Sequence, residues 1–310
     1  MSDSGEVRGN LKSYLGASVG VAVSGALWGA FWIPLRYLES QGLPGAWPAF
    51  VLFAAGAALL LPFVPRRLSR LRAGGREIVL VGALTGSAFA LYGLAVVLTD
   101  VVTAILLFYL TPVWSTLLTR FYLGQRITVS RVVVLACGFA GMFTILGADT
   151  GWPWPRNLGD WLAIASGVMW AAGTFVLYRG VALETFEQVF SFAFGGTVCA
   201  LLIAISLEAD PSAARLMHAE AIGVIALVAV ILLATNFLMI IGANLLDPGR
   251  VGVLLMLEVV VGVISASVLA GEPFGTRELL GAALIMTAGV AEVFSRPPGL
   301  PAQTTAGHSK

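Results

Sequence analysis

The sequence predicts an all-α polytopic membrane protein, with ten transmembrane helices arranged as two inverted five-helix repeats around a central cavity. Three observations predict it: the composition, ten long apolar runs, and ordered matches between the two halves. Hydrophobic residues make up 58% of the chain and charged residues 11%, against about 25% charged in a soluble domain. A soluble globule of that composition would expose large apolar patches and aggregate. Lipid carries no such penalty, because its tails are themselves apolar. The formal net charge of +1 lacks the basic footprint of a nucleic-acid binder, so the expected partners are the bilayer and a small molecule.

A span takes about 20 apolar residues at 1.5 Å each. Runs near 16–38, 46–64, 77–99, 102–122 and 131–148 meet that length, as do 159–181, 187–207, 220–246, 249–270 and 276–295. The first half is 16–148, a polar link covers 149–158, and the second half is 159–295. The tails are 1–15 and 296–310, and the composition of the second, rich in Pro, Gly, Ser and Thr, reads as disordered. The first run exceeds the roughly 7–15 residues of a signal h-region, so it is expected to persist as a span. Cys137 and Cys199 lie inside apolar runs and read as packing residues.

Placing the N-terminus inside puts fourteen of the 18 Lys and Arg residues on that side. Most of the bias comes from Arg66, Arg67, Arg70, Arg72 and Arg76. This predicts a multi-pass protein of the bacterial inner membrane, with both termini cytoplasmic and the 149–158 link periplasmic.

The halves resemble one another. Ser24, Gly25 and Trp28 match Ser166, Gly167 and Trp170 at an offset of 142. Phe50 and Gly56 match Phe190 and Gly196 at 140. Leu110, with Leu123 and Gly124, matches Leu257, with Ala270 and Gly271, at 147. Five spans per half force the second half to insert upside down. Inverted repeats imply a pseudo-two-fold axis in the membrane plane, and rocking of the halves then opens a midplane site to each side in turn.

Several chemistries are excluded. The only lysines are Lys12 and Lys310, and there is no Gly-rich phosphate loop, so an ATP-driven pump is not expected. His218 and His308 lie outside the spans, which removes His catalysis and a His metal cluster from the bilayer. Neither enzyme activity nor a cofactor or metal is expected. Gly16, Ser18 and Gly20 have the spacing of a hydrolase elbow but lack the strand and the His partner. With Ser24, Gly25 and Gly29 they read as small-residue helix packing.

Intramembrane charge and mid-span aromatics carry the remaining signal. Glu258 stands about ten residues into the ninth run, while Glu39, Asp100, Asp160, Glu220 and Asp247 stand at run ends. Glu258 can bind a substrate ammonium, carry a proton, or hydrogen-bond a neighbouring helix as a protonated carboxyl. Asn236 and Asn244 divide between structural bonds and cavity contacts. Arg36 and Arg179, near span ends, can snorkel or meet a carboxylate. Trp28 and Trp32 are four apart and share a helix face. They, Trp170, Tyr92, Tyr109 and Tyr178 are expected around the axis. Trp47, Trp152, Trp154 and Trp161 fit an interfacial belt. Pro34 and Pro112 are candidate hinges.

The Trp near the start of each half, the Leu110, Thr111, Pro112 turn, and Gly271, Glu272, Pro273, Phe274 followed by Gly281 and Gly289 resemble the drug/metabolite transporter superfamily, in its ten-helix EamA branch. The resemblance covers about 16–295. Within that branch, Tyr109 to Pro112 and the aromatic first and sixth helices resemble the YddG-type exporters of aromatic amino acids. That pattern has Trp where this chain has Thr111. The resemblance implies a basket of helices around a cavity, with the fifth and tenth peripheral, and export rather than uptake.

The expectation is therefore a secondary exporter of amino acids, aromatic or otherwise hydrophobic, working by alternating access. Its cavity is expected between helices one, three, four, six, eight and nine. Its substrate-binding residues are Trp28, Trp32, Tyr92, Tyr109, Thr111, Trp170, Tyr178, Asn236 and Glu258, and protons are a candidate second partner. A multidrug or lipophilic-cation exporter is the alternative, with a membrane-embedded enzyme or scaffold behind it. Phosphorylated substrates fit poorly, because no Lys or Arg lies at mid-span.

Overall fold

The computed structural model describes residues 3–124, 129–146, 154–178, 183–207, 219–246, 251, 254–272 and 274–294. Within these the chain is helical, with no strand. The helices are α1 (Asp3–Gly29), α2 (Trp32–Ser40), α3 (Trp47–Leu60), α4 (Val64–Val81), α5 (Ser87–Leu98), α6 (Val101–Phe108), α7 (Thr111–Leu123), α8 (Val129–Leu146), α9 (Leu158–Tyr178), α10 (Thr185–Leu207), α11 (Ala219–Leu245), α12 (Leu257–Ser265) and α13 (Thr276–Phe294). The chain is a polytopic all-α membrane protein.

Among the described residues, six stretches are long and apolar enough to cross a bilayer, and two shorter apolar helices, Val132–Leu146 and Leu257–Ala270, accompany them. One stretch, Trp47–Leu98, runs for 52 residues. At 1.5 Å per residue that is about 78 Å, more than twice the hydrocarbon core of about 30 Å. It is interrupted at Gly75, where φ of 36° and ψ of −114° leave the helical region. The arginines between Arg66 and Arg76 flank this interruption, so the stretch serves as two helices with a polar turn.

Small residues set the close approaches. A Cβ added to Gly141 would lie 2.9 Å from the Gly281 carbonyl, and one added to Gly281 would lie 3.2 Å from that of Gly141. This reciprocal contact joins α8 to α13, whose mutual packing is the most extensive in the molecule. α1 packs on α11 and α12, α9 on α5, α6 and α7, and α10 on α3, α4 and α5. The outward faces carry exposed apolar side chains such as Leu202, Leu227 and Ile264, which suits a lipid solvent.

Two spans are broken near their middles, and the cause is readable. Pro34 has no N–H for the Ala30 carbonyl, and Ile33 N supplies it instead at 3.1 Å. The chain tightens there, between α1 and α2. Pro112 likewise leaves the Phe108 carbonyl, which accepts from Thr111 Oγ1 at 2.8 Å. Here α6 gives way to α7.

Candidate functional site

A third break, before α12, has no proline, yet its hydrogen bonds repeat those of the break between α6 and α7. Val113 N and Trp114 N both donate to Leu110 O, at 2.9 and 3.2 Å. Val259 N and Val260 N both donate to Met256 O, at 3.1 and 3.4 Å. The pattern recurs at an offset of 146, one less than the 147 read from the sequence. Both readings hold at their own places. Gly124 and Gly271, 147 apart, each end a helix in the left-handed region, with φ of 61° and 67°. Between Met256 and Gly271 lies a π-turn, Ala266–Ala270, and a π-turn takes in one extra residue.

The shift of Val259 N to Met256 O withdraws it from Leu255 O. That carbonyl is met by Tyr109 Oη at 2.9 Å. The same Oη lies 2.9 Å from Glu258 Oε2. Tyr109, in the break of one half, thus ties together the break of the other. The approach is possible because glycines line it. A Cβ on Gly25 would lie 3.2 Å from Leu254 O, and one on Gly29 would collide with Glu258 O. Across the molecule, a Cβ on Gly167 would lie 2.7 Å from Phe108 O. Gly25 and Gly167 occupy matching positions in the two halves, and each packs on the opposite break.

An aromatic cluster surrounds this pair, with Phe89 of α5 at its hub. Its ring centroid is 4.3 Å from Trp28, 5.1 Å from Trp170, 5.4 Å from Phe192 and 5.6 Å from Phe108. Edge-to-face and tilted geometries of this kind are the favoured ones for aromatic pairs. Tyr92 stands 5.2 Å from Phe108, and Phe108 5.7 Å from Tyr109. Trp28 is only 2% exposed, so the rings fill the centre in this conformation.

Polar contacts bind the helix ends on both sides of the cluster. At one end, Arg36 donates from Nε to Val96 O at 2.8 Å and from Nη2 to Thr99 O at 3.1 Å, capping α5. Thr99 Oγ1 donates to Asp160 Oδ1 at 2.7 Å, and Asn157 Nδ2 donates to Thr99 Oγ1 at 3.0 Å. These groups edge a cleft of about 390 Å³ that includes Asp100 and Arg156. Glu272, from the Gly271 and Glu272 pair, accepts from Val101 N at 2.8 Å and Val102 N at 3.0 Å. It caps α6, where a carboxylate complements the helix dipole. At the other end, Glu184 pairs with Arg67 at 2.9 Å and with Arg70.

The expected site residues divide accordingly. Trp28, Tyr92, Tyr109, Trp170 and Glu258 come together. Trp32 is buried but donates from Nε1 to Ser265 Oγ at 2.9 Å, and Asn236 Nδ2 donates to Leu232 O at 2.9 Å. Thr111 is occupied with its local carbonyl. Tyr178 ends α9, about 12 Å along the axis from Trp170. Trp47, expected in the interfacial belt, opens α3 and is buried against Phe50 at 5.6 Å. Trp154 and Trp161 are exposed. Trp152, Arg179, Asp247 and Pro273, and the side chains of Pro112 and Asn244, lie outside the described residues. The sequence reading missed Phe89, Phe192 and the burial of Glu187 and Asp160, which are 2% and 0% exposed.

Fold and site together define a multi-span helical membrane protein whose two broken helices meet, within an aromatic surround, at a buried carboxyl. The EamA-like transporter family matches residues 16–147 and 157–291. The chain belongs to that family, and so to the membrane transporters of the drug/metabolite type, whose substrates are small molecules. No curated protein matches it. One solved structure, described only as "Crystal structure of protein", superposes with a TM-score of 0.57 at 20% identity, covering 89% of this chain and 95% of its own. That likeness shows the fold alone.

Proposed function

We propose that the chain is a secondary exporter of amino acids and similar small amphiphilic metabolites, with aromatic or large apolar side chains preferred, working by alternating access. The two halves act as inverted repeats, and substrate sits where their breaks meet. What supports this most is the pair of breaks with one hydrogen-bond pattern, 146 residues apart, each packed on a glycine of the other half. Broken helices at a repeat interface are where secondary transporters bind their cargo. The aromatic surround favours flat apolar groups, and Tyr109 to Pro112 resembles the aromatic exporters.

A second reading is favoured by one observation. Glu258 accepts from Tyr109 at the edge of the aromatic cluster, an arrangement that also suits a lipophilic cation. Counterflow of a labelled amino-acid panel in proteoliposomes separates the two. Accumulation of aromatic and large aliphatic amino acids is the expected result. Movement of a quaternary cation but of no amino acid selects the second reading, and movement of neither refutes the proposal.

A further inference from the structure

We propose that the buried Glu258 carboxyl, with Tyr109 and Tyr92, is a seat for a single positive charge. The inference deepens the transporter reading by naming the charge its site takes.

The cluster holds fewer protons than its acceptors require. A phenol has one to donate. Tyr109 Oη faces two acceptors at 2.9 Å, Leu255 O and Glu258 Oε2. It can satisfy only one of them. Glu258 Oε1 is buried with no hydrogen-bond partner among the described residues, and so is Tyr92 Oη. The carboxyl is 5% exposed and Tyr92 0%. Among the described residues no Lys or Arg is paired with the carboxyl: Arg36 caps α5, and Arg67 and Arg156 pair at the two ends. A bare carboxylate charge at such depth is costly. The cluster is therefore one positive charge short.

A proton on Glu258 meets the deficit by giving Oε2 a hydrogen to donate to Tyr109, which then donates to Leu255 O. A small cation meets it by coordinating Oε1, with Leu255 O, the carbonyl that the break releases, as a second oxygen. Released carbonyls at broken helices serve this purpose in secondary transporters. The charge has three sources: a proton, a free alkali ion, or the ammonium of the substrate.

The test uses the full chain in lipid nanodiscs and requires no transport. Melting temperature and tryptophan fluorescence are followed while titrating sodium chloride, methylammonium chloride, or pH in N-methyl-D-glucamine buffer. Wild type should respond saturably to at least one. Glu258→Gln should lose that response by about tenfold or more, as expected for a hydrogen bond to a charged group. Tyr109→Phe, which keeps the carboxyl, should lose part of it. A sodium response assigns a free ion, a response to methylammonium alone assigns the substrate's ammonium, and a pH transition alone assigns a proton. Should Glu258→Gln not fold, the partial loss in Tyr109→Phe decides the matter. Equal responses in wild type and the folded variants, or none in wild type, overturn the inference. Either result is independent of the counterflow panel.

Discussion

At the scale of single residues, the proposed site is built of rings that pack on one another, and an incoming substrate would have to replace some of those contacts. Trp28 and Trp170 both touch Phe89, so an incoming aromatic group has two indoles to exchange for that one phenyl. Such a contact adds about 0.5–1.5 kcal/mol beyond area burial, and an ammonium over Trp adds about 0.5–2 kcal/mol. Trp28→Ala or Trp170→Ala should therefore weaken aromatic substrates by about tenfold, which is 1.4 kcal/mol, and aliphatic ones less. Counterflow with a tyrosine and leucine pair measures the difference, and equal losses with reduced folded yield would make the tryptophans packing residues. Glu258 was legible in the sequence because an acid in mid-span is rare. Phe89 was not, since a span that is apolar all round offers no periodicity to say which face looks inward. Asp160 was read as lying at a span end, and Glu187 was not singled out. Their burial depends on what α4 and Thr99 place over them.

At the scale of helices, two kinds of break coexist. Those at Pro34 and Pro112 are written in the sequence as missing donors. The one at Met256 is imposed by tertiary contact, since Glu258 stands 146 residues after Pro112 and keeps its N–H. Pro112→Ala should restore a donor to Phe108 O and lower turnover while leaving folded yield intact. Unchanged transport rates would show that the hinge is not used. The glycines facing the breaks give a graded series. A Cβ would lie 2.7 Å from backbone at Gly167 and 3.2 Å at Gly25, and would meet nothing within 4 Å at Gly16. Thermal unfolding should rank Gly167→Ala as most damaging, Gly25→Ala as intermediate and Gly16→Ala as neutral. A flat series would mean the helices simply shift apart.

At the scale of the whole molecule, the two ends are closed by different means. Arg67 and Arg70 meet Glu184 through partly exposed side chains, a class of pair worth about 0–1 kcal/mol. Under the proposed alternating access, a weak latch suits an end that opens. In a background lacking Cys137 and Cys199, a cysteine at Asn236 should react faster with a soluble thiol reagent once Glu184→Gln is added. An unchanged rate would locate the moving end elsewhere. The topology has its own check. Reporter fusions in the 149–158 link should read periplasmic and fusions beside Arg72 cytoplasmic. The same side for both would undo the inverted relation of the halves.

The sequence by itself determined the environment, the helical class and the repeat. Composition and run length act locally, and a bilayer leaves helices as the way to satisfy such backbone. It also marked Trp28, Trp170, Tyr109 and Glu258, whose types are out of place in a plain lipid-facing helix. Tertiary structure decided which of the marked residues meet. Trp32 and Thr111 are spent on Ser265 and on a local carbonyl, while Tyr109 reaches a carbonyl 146 positions away. Only packing could decide this, because the carbonyl of Leu255 becomes an acceptor when its helix breaks. That helix breaks where Gly25, Gly29 and Tyr109 press against it from elements distant in the chain.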